Sequence, residues 1–395
     1  MSKPITILFL GTNGFPFGMA AIQRQLQLAR AMNADNTRVL VINRKGVHPP
    51  EVVKVEKIKT SGVYEGIEYI YASGTPVYPS NFLLRNSLKI IGKIGELLIV
   101  LYNLIFHDVQ CLVINSLSLS ELRYYYILSR IMRVQLVYDY VEFVSSLDDR
   151  TMKTSTGRQT FDDLFFKYTD SLIIISHFLE DHIRKAAPGL PYVIIPPIMD
   201  FEKFAAIENT PAETDYFLYC GSAHYLDVIE FIIEAYQKSH SSEQGVSLIL
   251  VINGSPEELD TLKTSVRNNT HIKILSMLAY EALIGYYKNA KALLIPMQDN
   301  LQDKARFPFK ISEYTAAARP IVTSNSGAVV DYFTDGVNAL MAQTGDADDF
   351  ATRLDFIVTN PEIAGQIGRK GYELGLKYFN YKSYSTALMS LIGQN

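Results

Sequence analysis

The sequence has little cysteine and no excess of positive charge. Only two cysteines occur among 395 residues, and Cys111 and Cys220 both lie in apolar stretches that predict strands. We therefore expect buried free thiols in a reducing cytosol and not a disulfide framework. The net charge of −4 gives wholesale nucleic-acid binding no electrostatic support, so no nucleic-acid partner is expected.

The sequence also lacks a long uninterrupted apolar run. Its first residues, Met1 to Ile5, do not form the apolar core and small-residue cleavage site of a signal peptide. The most apolar window, Ile94–Phe106, is interrupted by Gly95 and Glu96 and is shorter than the roughly 20 residues that span a bilayer. These absences predict a cytoplasmic protein, and they leave open a peripheral contact at the inner face of a membrane.

Several motifs of common enzyme classes are missing. No G-x-x-x-x-G-K-[ST] loop and no G-x-S-x-G elbow occur, which disfavours P-loop nucleotidases and the commonest serine hydrolases of α/β architecture. The first glycine-rich turn has Gly11, Gly14 and Gly18 in place of G-x-G-x-x-G, and Asn43 stands where a ribose-binding acid is expected. An NAD(P)-dependent oxidoreductase is therefore the less favoured alternative.

Metal-binding patterns are weak as well. His177 and His182 are five residues apart, which does not align them on one helix face. Asp346 and Asp348 form a D-x-D triplet, but they follow a glycine and precede a helical pattern, so carboxylates at a helix N-terminus explain them better. We expect no metal and no cofactor.

Apolar residues make up 48% of the chain, and they are arranged in a repeated strand–helix alternation. Continuous apolar strands separated by helical patterns are typical of parallel sheets buried on both faces. The fold class predicted is α/β, with two doubly wound, Rossmann-like domains facing across a cleft. The predicted strands are 6–10, 38–42, 111–114, 135–138, 171–175, 192–195, 216–220, 247–252, 272–275, 292–295, 321–323 and 339–341.

The alternation stops once and then starts again. Pro196 and Pro197 end the first series, residues 199–215 show little periodicity, and the rhythm resumes at Tyr216. We therefore predict a first domain over residues 1–197 and a second domain over residues 198–375.

Charge is divided unevenly between the two halves. Residues 1–200 hold 21 Lys/Arg and 18 Asp/Glu, a net of +3, whereas residues 201–395 hold 16 and 23, a net of −7. Within the first half, Arg85, Lys89 and Lys93 recur at four-residue steps in the apolar stretch 82–106. Such a helix could rest on anionic lipid. The alternative is an ordinary helix packed on the sheet with a solvated basic stripe.

The most informative segment runs from Arg306 to Pro320. Pro308 suits the first turn of a helix, and Lys310 and Glu313 share one face of it. A helix N-terminus with a lysine attracts phosphate, and a carboxylate can accept hydrogen bonds from both hydroxyls of a ribose. From spacing alone, an acid in the first helical turn beside a solvated lysine is equally acceptable.

Small-residue turns follow strands in both halves. Residues 324–328 form one such turn in the second half, and residues 11–18 form another in the first. Turns of this kind at the carboxyl ends of strands, on both sides of a cleft, suit a ligand rich in phosphate and hydroxyl groups.

With these motifs in order, nearly the whole chain resembles the retaining sugar-nucleotide glycosyltransferases of the GT-B fold, in the large family-four group. The similarity is carried by 217–221, 251–254, 274–278, 283–290, 294–296, 308–314, 319–322, 327–331 and 335–338. It implies transfer of a hexose-like sugar from a nucleoside diphosphate to an acceptor hydroxyl, with retention. A surface polysaccharide or glycoconjugate, glycan or lipid-linked, would be the acceptor. It also implies an acceptor-binding first domain, a donor-binding second domain, and a helix in 376–395 that crosses back to the first.

The resemblance implies roles for individual residues. Catalytic roles fall on Lys310, Glu313 and His224. Donor-binding roles fall on Gly18, Gly221, Ser222, Asn253, Gly254, Met277, Leu278, Asp303, Arg306, Pro308, Phe309, Ser326 and Gly327. On the acceptor side we expect Asp139 and Glu142, placed after a strand that ends at Tyr138, to face the cleft, with helix capping as the alternative.

Two departures from the family pattern keep a different function open. Ala305 stands where the family often has a sugar-contacting glutamate, so Asp303 or backbone amides would have to replace it. The Arg and Lys that usually follow the Gly221 turn are absent, and His224, or Lys310 with Arg306, would have to compensate. The alternative is a non-catalytic GT-B scaffold or partner subunit.

Overall fold

A computed structural model describes residues 4–34, 36–146, 155–209 and 215–393. The chain divides into two compact units, the first formed by Met1–Met199 with Tyr381–Asn395 and the second by Asp200–Asn380. Both units are built on largely parallel sheets flanked by helices, which confirms the predicted α/β class. Of the predicted linker 199–215, residues 210–214 lie outside the described residues.

The first unit contains an eight-stranded sheet. Its strands lie in the order β3-β4-β2-β1-β5-β6-β7-β8, and all neighbours are parallel except β3 and β4. The strands are β1 (Ile5–Leu10), β2 (Thr37–Asn43), β3 (Ser61–Tyr64), β4 (Ile67–Tyr71), β5 (Asp108–Ile114), β6 (Gln135–Tyr140), β7 (Ser171–Ile174) and β8 (Tyr192–Ile194).

Helices cover this sheet, and the last helix of the chain is among them. They are α1 (Ala20–Met32), α2 (Pro50–Val55), α3 (Phe82–Phe106), α4 (Leu119–Met132), α5 (Ser155–Leu164), α6 (His177–Ala186) and α15 (Ser385–Ile392). Leu388, Leu391 and Ile392 of α15 join the core formed by β1 and α1. Helix α15 is therefore part of the first unit's hydrophobic core.

The second unit contains a six-stranded, all-parallel sheet in the order β11-β10-β9-β12-β13-β14. From β9 the chain first proceeds to one side and then returns to the other, so the order reverses between β9 and β12. In doubly wound sheets such a reversal is where ligands bind, outside the carboxyl ends of the strands. The strands are β9 (Tyr216–Ser222), β10 (Ser247–Asn253), β11 (Ile272–Leu275), β12 (Ala292–Ile295), β13 (Ile321–Ser324) and β14 (Leu340–Ala342).

Local sequence accounts for where the helices of the second unit begin. Ser255 and Glu258 form a reciprocal capping box, and the Asp346 carboxylate accepts the N–H groups of Asp348 and Asp349. The D-x-D triplet is thus a helix start, as expected. The helices are α7 (Phe201–Ala206), α8 (Leu226–Lys238), α9 (Pro256–Val266), α10 (Tyr280–Asn289), α11 (Leu301–Ala305), α12 (Lys310–Ala316), α13 (Ala347–Thr359) and α14 (Pro361–Tyr378).

One local expectation was wrong, and two elements were not predicted. The β3–β4 hairpin was not predicted, although Ile67, Tyr69 and Tyr71 alternate with less buried residues as an edge strand does. The segment after β13 forms a 3₁₀-helix over Gly327–Asp331, which begins within the predicted small-residue turn 324–328. Strand β6 continues two residues beyond Tyr138, which places Asp139 inside the sheet.

Both cysteines are buried and free, as predicted. Burial in apolar surroundings raises the pKa of the Cys111 thiol well above its ordinary value. Among the helices in the described ranges, none is long and apolar enough to cross a bilayer. Within the same ranges, no group of three or more His, Cys, Asp or Glu side chains could hold a metal ion.

Candidate functional site

The second sheet brings most of the predicted donor-binding residues to one edge. Ser222 ends β9 and is paired in register with Asn253, which ends β10. Ser326 and Gly327 follow β13, which pairs with β12. Because these strands are parallel neighbours, their carboxyl ends meet at the reversal between β9 and β12.

Helix α12 is fixed against the end of β9. All its residues after Lys310 are buried, and the hydroxyl of Tyr314 accepts the backbone N–H of Cys220 at 3.0 Å. This long-range hydrogen bond places the first turn of α12 beside the loop that follows Gly221. Lys310 and Glu313, three residues apart on that turn, are thereby carried to the reversal point.

Lys310 keeps its charge in this setting. Burial alone would lower the pKa of its ammonium group, but the Cys220 side chain and the Glu313 carboxylate oppose this effect and raise the pKa overall. The alternative of a freely solvated lysine does not fit, because Lys310 is partly buried. A retained positive charge at low dielectric attracts an anionic group such as phosphate strongly.

Glu313 is a buried carboxylate near the hydroxyl groups of Tyr280 and Tyr287. Tyr280 is the first residue of α10, and its hydroxyl donates a hydrogen bond of 3.3 Å to Oε1 of Glu313. Burial raises the pKa of Glu313, and the nearby Lys310 charge works against that rise. A partly satisfied carboxylate of this kind can accept hydrogen bonds from two neighbouring hydroxyl groups.

Arg306 connects two loops of the site. Its guanidinium donates to Oδ1 of Asp303 at 2.9 Å and to the Tyr225 hydroxyl at 2.7 Å, and it lies 4.8 Å from the centre of the Tyr225 ring. Burial opposes the charge, but Tyr225 and Asp303 raise the pKa of Arg306. Tyr225 was missed by sequence reasoning. The signal for it in the sequence was an aromatic residue shortly after the Gly221 turn, where the family usually has an Arg and a Lys.

Asp303 does not fit the predicted sugar-reading role. It is buried, its Oδ2 accepts the backbone N–H of Gln298 at 2.8 Å, and its Oδ1 is paired with Arg306. Since both oxygens already have partners, the carboxylate orders the loop after β12 and holds Arg306. The neighbouring Ala305 is fully buried, so it offers no polar atom of its side chain to a ligand.

Two glycines of the site are required by the packing of the protein itself. Gly327 has φ +70°, and a Cβ atom there would lie 2.6 Å from the carbonyl oxygen of Asp303. A Cβ on Gly221 would lie 2.3 Å from the Tyr219 hydroxyl. Both positions need glycine whether or not a ligand is bound.

The other predicted donor residues differ in placement. His224 is exposed, and its ring centre lies 5.4 Å from that of Tyr225. Its backbone N–H donates to Ser222 Oγ at 3.3 Å. Met277 is 91% exposed after the edge strand β11, with Leu278 half-buried behind it. Of the remaining predicted residues, Gly254 follows β10, and Pro308 and Phe309 directly precede α12.

In the glycine-rich loop 11–18 of the first unit, the backbone N–H groups of Gly14 and Phe15 already have hydrogen-bond partners within the protein. Oδ1 of Asn43 accepts the N–H groups of Gly14 and Phe15 at 2.8 and 3.0 Å, and its amide donates to the Phe15 carbonyl. The Tyr71 hydroxyl donates to the same carbonyl at 2.8 Å. These amides are therefore not available to a phosphate. Gly18 is required by packing, since a Cβ there would lie 2.5 Å from Ile22.

Asp139 is also engaged within the first unit, which corrects its expected position. It lies in β6, is buried, and pairs with Arg24 at 2.9 Å. Asn115 donates to its second oxygen at 3.3 Å, and Arg24 also donates to the carbonyl groups of Ile195 and Pro196. Glu142 lies two residues beyond the strand and is half-buried.

Comparison with known proteins supports the fold and covers the site. Residues 200–374 match the sequence model of the family described as "Glycosyl transferases group 1". A curated relative, "Uncharacterized glycosyltransferase MJ1178" from Methanocaldococcus jannaschii, is 22% identical over 114 residues. That match spans 29% of this chain and 31% of the relative.

Solved structures are similar over both units. Sucrose-phosphate synthase (tll1590) from Thermosynechococcus elongatus has a TM-score of 0.76 at 16% identity, covering 99% of each chain. Anabaena Alr3699/HepE in complex with UDP-glucose has a TM-score of 0.69 at 14% identity, covering 99% of this chain and 100% of the other. The fold is the GT-B fold of glycosyltransferases, and the site lies in the segment matched by the family model.

Proposed function

We propose that this protein is a glycosyltransferase that uses a nucleoside-diphosphate sugar as donor. The observation that carries the proposal is the seating of Lys310 and Glu313 on α12 at the reversal point of the second sheet, fixed there by Tyr314 and Cys220. The family match of the second unit and the UDP-glucose complex of a structure with the same fold support it.

The residues divide the task of donor binding between them. The ionised Glu313 would accept hydrogen bonds from the ribose hydroxyls, while Lys310 at the start of α12 would contact the diphosphate. Arg306, held by Asp303 and Tyr225, supplies a second cation where the usual basic pair is absent. His224 lies exposed in the loop between β9 and α8, next to Tyr225.

The reaction we propose moves a hexose-like sugar to an acceptor hydroxyl with retention of anomeric configuration. As the sugar–phosphate bond breaks, negative charge grows on the leaving diphosphate, and Lys310 and Arg306 would stabilise it electrostatically. The diphosphate can then take the proton of the acceptor hydroxyl, so no protein nucleophile is needed. Because these cations neutralise the leaving group, we propose that the cytoplasmic reaction needs no metal or other cofactor.

The acceptor we propose is a glycan or lipid-linked hydroxyl, in the assembly of a surface polysaccharide or glycoconjugate. This follows from the resemblance to the family-four group and from the outward apolar surface of the first unit described below. Neither Asp139, which is paired with Arg24, nor the closed glycine loop is assigned to acceptor binding.

A thermal-shift panel of UDP-, GDP-, ADP- and dTDP-sugars tests the donor class. A donor at 100 times its Kd should stabilise the protein by about 2.7 kcal/mol. Transfer assays with the best donor, with and without EDTA, then test activity and metal independence, and NMR of the product gives its anomeric configuration. Inversion or loss of activity in EDTA would overturn the corresponding part of the proposal.

A non-catalytic GT-B scaffold is the second candidate, and one observation favours it. The position of the usual sugar-contacting glutamate is the buried Ala305, and its proposed substitute Asp303 is fully engaged. A scaffold predicts nucleotide binding without sugar transfer or donor hydrolysis, or no thermal shift with any donor. Measurable turnover would exclude it.

A further inference from the structure

Helix α3 buries two polar side chains and exposes many of its large apolar ones. The residues that it buries are Gly92, Glu96, Val100 and Asn103. On the opposite side, Ile94, Leu98 and Ile105 are 56%, 61% and 68% exposed. An ordinary helix packed on a sheet shows the reverse pattern. The hydrophobic side of α3 therefore has no partner among the described residues.

Specific interactions hold α3 in this orientation. Arg44 donates to both oxygens of the buried Glu96 at 3.0 and 3.1 Å, and Arg38 donates to Asn103 at 2.7 Å. Gly92 and Gly95 let the helix approach the backbone, since Cβ atoms there would lie 2.1 and 2.3 Å from carbonyl oxygens. The outward face is thus a fixed feature of the unit.

Helix α4 extends the same surface. Both α3 and α4 connect strands in the same direction across the sheet, so right-handed crossovers place them on one side of it. Arg44 joins them through Glu96 on α3 and Tyr125 on α4. We define the α3–α4 face by its exposed apolar residues, which are Ile90, Ile91, Ile94, Leu98, Tyr102, Ile105, Phe106, Tyr124, Ile127 and Ile131.

The exposed charged side chains of α3 and α4 themselves are of one sign. The only acids of the two helices, Glu96 and Glu121, are paired with Arg44. The exposed charged side chains are the cations Lys89, Lys93, Arg123 and Arg130, of which Arg130 is paired with Asp170. A surface that combines exposed aliphatic and tyrosine side chains with lysine and arginine side chains complements anionic lipid headgroups and the apolar layer beneath them.

We infer that the α3–α4 face docks on the surface of an anionic lipid bilayer, with α3 lying flat in the interface. The 25 residues of α3 form a rod about 37 Å long that offers its apolar side over its whole length. A second copy of the chain is the weaker occupant, because self-association would bring the cations of two copies together. The inference does not depend on the donor chemistry.

Vesicle flotation of the full-length protein tests this inference. The vesicles are equimolar phosphatidylglycerol and phosphatidylcholine, compared with phosphatidylcholine alone, at low and high salt. We expect binding to the anionic vesicles that weakens with salt. Ile94→Gln with Leu98→Gln should weaken it by at least about tenfold, because two side chains lose their apolar burial while no charge changes.

Matched variants separate the explanations. Ile363→Gln alters a comparably exposed isoleucine on α14 of the second unit and should bind vesicles like wild type. Lys89→Glu with Lys93→Glu should lose binding to anionic vesicles at low salt. The inference is overturned if folded wild type fails to float, or if the double glutamine variant floats unchanged. A wild-type dimer that this variant dissociates, without vesicle binding, would assign the face to a second copy.

Discussion

The carboxyl edges of the two sheets look alike in sequence but are used differently. In the first sheet, Asn43 accepts the N–H groups of Gly14 and Phe15 in the glycine-rich loop, and Arg24 pairs with Asp139. In the second sheet, Lys310 and Glu313 lie on a helix turn fixed at the edge, and Arg306 is braced beside them. Small-residue turns after strands therefore do not identify a ligand site. What matters is whether the protein itself uses the polar groups there.

The largest effect we expect is on the stability of the first unit. Asp139→Asn leaves the buried Arg24 without its counter-charge, which should cost about 3–5 kcal/mol in the free energy of unfolding. Urea unfolding measures this cost. Asp108→Asn, at the exposed start of β5, is the control and should change little. Unchanged stability with a raised KM for the acceptor would return Asp139 to an acceptor-binding role.

Lys310→Ala tests the charged group of the second edge. Loss of a preorganised cation from the leaving diphosphate should cost about 2.7–4 kcal/mol of barrier, a decrease in kcat of a hundredfold or more. Steady-state kinetics with the donor found in the thermal-shift panel measure it. The matched control is Lys304→Ala on the neighbouring α11, which removes a different lysine side chain and should retain turnover. An unchanged kcat in Lys310→Ala would show that this lysine is not part of the reaction.

Glu313→Gln should act mainly on donor affinity. Replacing a charged acceptor of two hydroxyl groups by a neutral amide should cost about 1.5–3 kcal/mol, or about ten- to a hundredfold in Kd. Calorimetry with the nucleoside diphosphate gives this value, and Glu281→Gln, exposed on α10, serves as the matched control. Equal affinities for wild type and Glu313→Gln would remove the ribose assignment.

The pH dependence sharpens the same assignment. Because burial raises the pKa of Glu313, the carboxylate takes up a proton at a higher pH than an exposed glutamate does. The affinity ratio of wild type to Glu313→Gln should be greatest above this raised pKa. It should fall by up to about tenfold per pH unit below it, since only the ionised form accepts both hydroxyls. A ratio that does not change between neutral and acid pH would contradict this.

The smallest effect should come from loss of the hydrogen bond between Arg306 and the Tyr225 hydroxyl. Tyr225→Phe removes the 2.7 Å hydrogen bond but keeps the ring beside the guanidinium. The expected loss is about 1 kcal/mol, or about fivefold in kcat/KM. Tyr192→Phe removes a hydroxyl bonded to Glu180 in the first unit and should leave kcat/KM unchanged. If both variants behave like wild type, the hydrogen bond from Arg306 to Tyr225 does not contribute to the reaction.

Local patterns predicted most of the architecture. Continuous apolar strands such as 6–10 and 292–295, separated by helical patterns, gave the α/β class and the restart at Tyr216. The β3–β4 hairpin was missed because its alternation is short and lies at the sheet edge. In the site, the spacing of Lys310 and Glu313 was visible, but the partners of Asp303 were not.

The sequence by itself determined which segments form strands and that Lys310 and Glu313 share a helix turn, because both depend on neighbours a few residues apart. The tertiary structure alone decided which polar groups are already used. Asn43 reaches Gly14, Arg24 reaches Asp139, and Arg44 reaches the buried Glu96 of α3. These contacts join residues distant in sequence, and buried polar groups must find such partners or lose the free energy of solvation.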